Sequence, residues 1–350
     1  MMYMLQPNER ELKSPLVVAV KKIYLSLIVL LLLLSASARS GIAWSAGSAP
    51  EIRVVYSSFS GSSVPVWIAQ ERRLFTRHGL KADLVFATGR RPTQALVAGE
   101  VQFISTAASA SIPAAVAGAD VVILAGSSNV SPLEIFSKPD IKRPVQLRGK
   151  RLGITTFGSS TDAAARFALP KWGLKLGTDV VLLQLGGVPE VLAALGSGAI
   201  DAGILSDPTT IAARKAGFHR LASLRELGLN VQHAAISARR SYVRANPDVS
   251  ERFLRAYSEA ILYFHADREG TLQVMSKYLR RMDRESIVES YENHLTIIPR
   301  EPYPTLEGIQ FILDELAKDD PRAKQIKPEA LIDKSFIEKL DREGFFKKKL

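Results

Sequence analysis

Residues Leu152–Ala165 read LGITTFGSSTDAAA, and this stretch contains the local pattern around which the rest of the chain is organised. A short apolar run, Leu152–Thr155, is followed by a glycine turn at Gly158 and then by an alanine-rich segment. This order predicts a β-strand, a tight turn and a helix whose first backbone N–H groups are capped by Ser and Thr hydroxyls. The same N–H groups can bind a ligand oxygen. The stretch is therefore either a capped strand–helix turn or part of a binding site.

A second copy of this pattern lies earlier in the chain. Gly61-Ser62-Ser63 corresponds to Gly158-Ser159-Ser160, and other Gly and Ala positions of Ile52–Ala119 correspond to positions of Lys150–Phe218 at separations of 94 to 99 residues. Each copy alternates apolar runs with helical patterns, which is typical of a mostly parallel sheet covered by helices. Two copies predict an α/β fold with two similar lobes, and open sheets of this kind bind ligands at the carboxyl ends of their strands.

The composition is that of a globular protein with an export signal. The 350 residues contain 47% hydrophobic and 23% charged residues, which suffices for two lobes with cores. Lys21-Lys22, the apolar run Ile23–Leu34 and the small residues 35–38 predict a secretory signal that is cleaved after Ala38, followed by a linker over residues 39–50. We therefore expect a periplasmic protein, with an uncleaved N-terminal anchor in the inner membrane as the alternative.

Several classes of function are disfavoured by the sequence. The chain has no cysteine, so it has neither disulfides nor a thiol nucleophile nor thiolate metal ligands. The five histidines are widely spaced and form no metal motif. The glycine loops lack the spacing of nucleotide-binding loops and of a nucleophile elbow. The net charge of +11 is scattered, which argues against nucleic-acid binding. We predict no catalytic residue, no metal and no cofactor.

Small polar loops follow the predicted strands in both copies and form the candidate binding site. They are Ser57–Ser63, Gly89-Arg90 and Ser105–Ser109 in the first copy, and Thr155–Asp162, Gly186-Gly187 and Ser206-Asp207 in the second. If the lobes face each other, these loops meet in one cleft and bind a small polar ligand through N–H groups and hydroxyls. Arg90 would pair with an anionic group or stay solvated beside Arg91. Asp207 precedes Pro208 and is predicted mainly to be a helix N-cap, with ligand contact as the alternative. Asp162 would repel a purely anionic ligand.

Other segments of the chain match a known family. They are Ser-Phe-Ser-Gly before Pro65–Ala69, Gly79-Leu80, Ala95–Val101, Gly149–Gly153, Ala194–Ile204 and Arg252–Tyr257. Through them the chain, from about Ile52 to Leu340, resembles the solute-binding proteins of ABC importers, in the branch of nitrate, taurine and aliphatic-sulfonate binders and fungal thiamine-precursor proteins. The resemblance implies a type II periplasmic-binding fold with the ligand between two lobes. It places residues 51–132 and 236–350 in the first lobe and residues 133–235 in the second.

The resemblance also implies which residues contact the ligand. These are Ser57, Phe59, Ser60, Gly61, Thr106, Ala107, Gly158, Ser159, Ser160 and Thr161. The strand-end loops add Gly89, Arg90, Gly187, Ser206 and Asp207 as candidates.

The function that the resemblance implies is that of an extracytoplasmic solute-binding protein. Such a monomer closes by hinge motion on a small polar or anionic organic ligand and delivers it to an ABC permease in the inner membrane. An exported or anchored enzyme, or a ligand sensor, that uses the same cleft is the alternative. The fungal relatives are iron-dependent enzymes with a cysteine-rich motif, which this chain lacks, so we do not expect their activity here.

Overall fold

The strands of the chain form two five-stranded sheets with the same internal arrangement. The first sheet, in the order β2–β1–β3–β10–β4, contains β1 (Glu51–Tyr56), β2 (Lys81–Phe86), β3 (Phe103–Thr106), β4 (Val122–Ser128) and β10 (Ala234–Ala238). The second, in the order β7–β6–β8–β5–β9, contains β5 (Glu134–Ser137), β6 (Lys150–Ile154), β7 (Val180–Gln184), β8 (Ala202–Leu205) and β9 (His219–Ser223). This computed structural model describes residues 49–229 and 231–347, so the predicted signal and most of the predicted linker lie outside the described residues.

Within each sheet, four strands run in one direction and one runs against them. β1 is parallel to β2 and β3, and β6 is parallel to β7 and β8. β10 is antiparallel to β3 and β4, and β5 is antiparallel to β8 and β9. The chain crosses between the sheets twice, over residues 129–133 and 224–233, and each crossing ends in the antiparallel strand of the sheet that it enters. The predicted α/β fold with two mostly parallel sheets is confirmed.

Helices connect and cover the strands. Up to β9 they are α1 (Val64–Glu71), α2 (Leu74–Arg77), α3 (Arg91–Ala98), α4 (Ala108–Val116), α5 (Ser160–Lys171), α6 (Val188–Gly196) and α7 (Thr209–Lys215). After β10 they are α8 (Arg240–Ala245), α9 (Pro247–Ala266), α10 (Arg268–Tyr278), α11 (Arg284–Leu295), α12 (Leu306–Leu316) and α13 (Ser335–Arg342). Short 3₁₀ turns lie at Gly61–Ser63, Pro144–Leu147, Pro321–Gln325, Pro328–Leu331 and Phe345–Lys347. Among the described residues, no helix is both long enough and apolar enough to span a bilayer.

The helical segment between β1 and β2 is divided into two helices. Arg73 has a φ of 54°, in the left-handed region, and separates α1 from α2. The reason is tertiary packing, because the turn at Arg73 directs Leu74 and Phe75 into the core, where both are buried. A left-handed residue costs little compared with the apolar area that this turn removes from water.

The C-terminal helices pack against both halves of the repeat. On the first sheet, the ring of Phe103 stacks on that of Phe253 in α9 with 3.9 Å between the centroids. On the side of the second sheet, Phe311 of α12 contacts Phe167 of α5 with a centroid distance of 5.5 Å. The C-terminal helices therefore contact elements of both sheets.

Candidate ligand-binding cleft

A cavity of about 60 Å³ lies between the facing strand ends of the two sheets. Its wall is built from the residues that follow β1, β2 and β3 in one sheet and β6, β7 and β8 in the other. The crossing segments close the cavity with Leu133 and His233, together with Ala234 at the start of β10. Because the carboxyl ends of parallel strands meet at one edge of a sheet, the six predicted loops converge here.

Eleven of the fifteen candidate residues line this cavity. They are Ser57, Phe59, Ser60, Gly89, Thr106, Ala107, Ser159, Ser160, Thr161, Gly187 and Ser206. The structure therefore brings candidates from both copies of the repeat to one cavity. Their contact with a ligand stays a prediction.

The other four candidates, Gly61, Arg90, Gly158 and Asp207, lie around the cavity and not in its wall. Gly61 packs against the ring of His294, which leaves no space for a side chain at this position. Arg90 is exposed, and its side chain lies against Gly158 of the opposite lobe. A Cβ atom on Gly158 would be 2.8 Å from Cγ of Arg90, so the two residues close one edge of the mouth.

Asp207 differs from its predicted role as a helix N-cap. α7 begins at Thr209, its N-cap position is Pro208, and no side chain caps it. The carboxylate of Asp207 instead accepts hydrogen bonds from Nδ2 of Asn293, at 2.7 Å, and from the hydroxyl of Thr210. Competition from these two donors explains why the N-cap prediction is wrong.

The turn before α5 is capped as predicted. Ser159 is the N-cap residue, and its hydroxyl accepts a hydrogen bond from the N–H of Asp162 at 3.4 Å. Both carboxylate oxygens of Asp162 have donors, the N–H of Gly158 at 2.9 Å and Nε of Arg166 at 3.1 Å. The predicted repulsion of an anion is reduced because this carboxylate is partnered and does not line the cavity.

Three helices begin at the cavity. The N-cap residues Ala107 of α4, Ser159 of α5 and Gly187 of α6 all belong to its wall. The first N–H groups of a helix have no partner within the helix and carry partial positive charge. Helix ends from both lobes therefore direct partial positive charge towards the cavity, offset in part by Asp162 and Glu190 in the first turns of α5 and α6.

Several hydroxyls of the wall remain available to a ligand. Among the described residues, no hydrogen bond involves the side-chain oxygens of Ser57, Ser62, Ser105, Ser160 and Ser206. By contrast, Oγ1 of Thr161 accepts from the N–H of Thr155 at 2.9 Å and holds the loop together. Since buried polar groups are normally partnered, the free hydroxyls indicate where a polar ligand would bind.

His233 lines the cavity, although the sequence gives no indication that it would. It lies in the second crossing segment and is 8% exposed. Its backbone N–H donates to the carbonyl oxygen of Ser128 at 2.8 Å. Burial, assisted by the nearby His294, lowers the pKa of His233 to about 4. The imidazole is therefore neutral at pH 7, with one nitrogen that donates and one that accepts.

Other wall residues also lie outside the predicted set. They are Ser58, Ser62, Ser63, Phe86, Thr88, Ser105, Ala110, Leu133, Thr155, Gly186, Val188, Pro189 and Ala234. Six of them, from Ser58 to Gly186, belong to the predicted polar loops, so the spacing of the loops could have identified them. The other seven lie outside those loops: Phe86 and Ala234 are in strands, Leu133 is in a crossing segment, Thr88 follows β2, and Ala110, Val188 and Pro189 are in helices.

The two lobes touch around the cavity. On one side, a Cβ atom on Gly89 would lie 2.7 Å from Oγ1 of Thr156. On another side, α7 contacts α11, where Nζ of Lys215 lies 2.6 Å from Oε2 of Glu285. The small volume of the cavity follows from these contacts, which bring its walls close together.

The chain has the type II periplasmic-binding fold. Two mixed sheets are joined by two crossings, and a polar cavity lies at their facing strand ends. Sequence comparison gives the family: NMT1/THI5-like proteins match residues 61–270, and the chain belongs to this family. A protein of Brucella abortus (strain 2308) that carries the name binding protein is 29% identical over 256 residues, which cover 71% of this chain and 78% of that protein.

Solved structures share the fold. One from Bordetella bronchiseptica RB50 has a TM-score of 0.75 at 21% identity and covers 84% of this chain and 97% of that one. The alkanesulfonate-binding protein SsuA from Xanthomonas axonopodis pv. citri, bound to MOPS, has a TM-score of 0.68 at 19% identity. The match covers 83% of this chain and 100% of that one. The periplasmic nitrate-binding protein NrtA from Synechocystis PCC 6803 has a TM-score of 0.69 at 14% identity, and the match covers 84% of this chain and 89% of that one. The predicted type II fold and family resemblance are confirmed.

Proposed function

We propose that this protein is the extracytoplasmic solute-binding component of an ABC importer. The observation that carries the proposal is the cavity enclosed by strand-end loops of both lobes, with free hydroxyls and three helix N-termini in its wall. Such a site binds and releases a small molecule without chemistry. The family, and the names of the Brucella, SsuA and NrtA proteins, support the same reading.

The proposed ligand is a small polar or anionic organic molecule. Of the residues in the wall, His233 alone carries an acidic or basic side chain, and its lowered pKa leaves it neutral at pH 7. A negative charge would therefore be stabilised by the helix N-termini and hydroxyls, with Arg90 at the mouth as the nearest proposed cation. The SsuA and NrtA structures are named for anions, which agrees with this assignment.

The same proposal includes four further properties: hinge closure, delivery to an inner-membrane permease, a periplasmic location and a monomeric state. The two crossings between the sheets supply a hinge, near the lobe boundaries predicted after residues 132 and 235. Two lobes joined by two short segments open and close as rigid bodies. A permease can then distinguish the ligand-bound, closed form from the open one.

A thermal-shift screen of sulfonates, carboxylates, pyrimidines and amines tests this proposal. A ligand that binds only the folded chain raises the melting temperature by mass action, by an amount that grows with its concentration. We expect one of these classes to do so, and Ser160→Ala to weaken the effect. A flat response to every class would contradict the proposal.

One observation favours the enzyme alternative: a titratable side chain, His233, lies in the cavity wall. Its imidazole is neutral at pH 7 and so has a nitrogen that can accept a proton, although the lowered pKa makes it a weak base. Incubation with the ligand from the screen, followed by mass spectrometry, separates the two functions. An unchanged ligand supports the binding protein, whereas conversion that is lost in His233→Asn would support the enzyme.

A further inference from the structure

The cavity in the cleft is too small for a whole organic ligand. Its volume of about 60 Å³ corresponds to about two water molecules in the liquid, whereas sites for organic ligands usually measure about 300–1,000 Å³. The cavity therefore accommodates a small head group, and the remainder of an organic ligand needs a second space.

That second space is a groove of about 890 Å³ that continues from the cavity to the surface. Six residues line both: Phe59, Phe86, Thr88, Gly186, Gly187 and Pro189. The groove runs along the edge strand β2 and is closed from the opposite lobe by the loop that precedes α6. Phe59 and Phe86 are the aromatic residues at the place where the cavity meets the groove.

The walls of the groove are apolar next to the cavity. Ala82, Leu84 and Phe86 alternate along β2 and so share one face of this strand. The rings of Phe59 and Phe86 lie 4.4 Å apart between centroids, and Phe86 is 40% exposed. An exposed aromatic ring at the opening of a polar cavity offers a free face for stacking.

Most of the charged residues that line the groove are already paired. Glu71 accepts from Nζ of Lys277 at 2.6 Å and from the hydroxyl of Tyr278 at 2.9 Å. Glu190 of the opposite lobe accepts from Arg281 at 3.2 Å. Arg280 also lines the groove and forms no ion pair among the described residues, since its Nε donates to the carbonyl oxygen of Lys277 at 3.0 Å. The groove therefore offers the ligand an apolar surface next to the cavity, with one unpaired cation among mostly paired charges.

We infer that the ligand is an aromatic small acid, with a carboxylate or sulfonate head group in the cavity and a flat aryl tail in the groove. This inference rests on the proposed function and adds the second half of the ligand. The head group is bound by the hydroxyls and helix N-termini of the cavity. The tail stacks on Phe86 and Phe59 and lies along the face of β2.

Isothermal titration of the full chain with matched pairs of acids tests the inference. The pairs are acetate with phenylacetate and 3-phenylpropionate, and methanesulfonate with 2-phenylethanesulfonate. We expect the aryl acid to bind about tenfold or more tightly than the short acid with the same head group, since stacking and apolar burial add to its affinity.

Variants locate the gain. Phe86→Ala should weaken the binding of the aryl acids about tenfold more than that of the short acids, because the tail stacks on its ring, whereas the short acids meet Phe86 only in the cavity wall. Val181→Ala is the matched control: Val181 is 48% exposed on β7, the edge strand of the other sheet, and lines neither the cavity nor the groove. Val181→Ala should leave the affinity for the short acids and for the aryl acids unchanged.

The failures of the two proposals are distinguishable. If short and aryl acids bind equally, or if Phe86→Ala weakens both to the same extent, the aryl tail is excluded while the proposed binding function stands. If none of the acids binds the unaltered chain, both the anionic ligand and the tail are excluded. Circular dichroism of each variant checks that it is folded.

Discussion

Nε2 of Gln232 donates a hydrogen bond to the carbonyl oxygen of Ser128 at 3.0 Å, and in doing so joins the two crossings between the lobes. The same nitrogen donates to the carbonyl of Ala234 at 2.9 Å, and Oε1 accepts from the N–H of Thr305 at 2.8 Å. Gln232 is fully buried. One amide thus connects the end of β4, the start of β10 and the segment that leads to α12.

Replacement of Gln232 by Ala should lower the free energy of unfolding by about 3 kcal/mol, because buried polar groups lose their partners and a cavity is left. Urea denaturation measures this difference. Gln310→Ala is the control, since Gln310 is exposed on α12 and bonds only Asp314. A loss in Gln232→Ala as small as that of the control would show that the amide does not hold the crossings together.

Ser160 and Thr161 are adjacent in the cavity wall but should respond differently to substitution. The hydroxyl of Ser160 is free, so Ser160→Ala should weaken ligand binding about tenfold and change the free energy of unfolding by less than about 0.5 kcal/mol. The hydroxyl of Thr161 bonds the N–H of Thr155, so Thr161→Ala should cost about 1–2 kcal/mol of stability.

Calorimetric titration with the ligand found by the screen, together with urea denaturation, separates these effects. Equal affinity in Ser160→Ala and the unaltered chain would return this turn to the role of a helix cap alone. An unchanged stability of Thr161→Ala would contradict the hydrogen-bond assignment.

The folding free energy should depend on pH through His233. Burial lowers the pKa of this imidazole to about 4, whereas the unfolded chain titrates near 6.5. Between these values the unfolded state binds a proton that the folded state does not, so stability falls as the pH falls from 6.5 toward 4. From about pH 7 to about pH 5 the loss due to this group should be about 2 kcal/mol.

His233→Asn removes the titration and should show a smaller loss over the same range, as measured by urea denaturation at both pH values. His219→Asn serves as the control, because His219 lies on β9 of the second sheet and lines no part of the cavity. If His233→Asn and the unaltered chain lose the same free energy between the two pH values, the buried neutral imidazole is excluded.

The repeated pattern was sufficient to predict two α/β sheets, since alternating strands and helices determine parallel pairing locally. The antiparallel strands β5 and β10 have no counterpart in that pattern. Both are added to the sheet by chain crossings, and the partner strands, β8 and β3, lie far away in sequence. The position of the turn at Arg73 depended on core packing in the same way.

The loops of the site were predictable for a similar reason, because carboxyl ends of parallel strands coincide at one edge. His233 could not be predicted, since a crossing segment places it. The role of Phe86 depends on β2 being the edge strand, and strand order is set by long-range pairing. The sequence predicts Asp207 to be a helix cap because the local pattern does not show its actual partner. That partner, Asn293, is 86 residues away in the chain.

Contacts between α7 and α11 should favour the closed form. Lys215 lies 2.6 Å from Glu285, Arg214 pairs with Glu289, and Asn293 bonds Asp207 across the same boundary. None of these six residues lines the cavity. If the lobes close by hinge motion, Lys215→Ala should weaken ligand binding two- to fivefold, the effect of about 0.4–1 kcal/mol for an exposed ion pair.

Because these charges are exposed, the effect should appear in titrations at about 20 mM salt and vanish at about 500 mM. Lys318→Ala is the control: Lys318 pairs with Glu315 at 2.6 Å, and both residues lie outside the α7–α11 boundary. A change confined to the dissociation rate would agree with closure after binding. Equal affinities of Lys215→Ala and Lys318→Ala at low salt would mean that α7 and α11 do not separate when the ligand leaves, and hinge opening on this side of the cleft would be excluded.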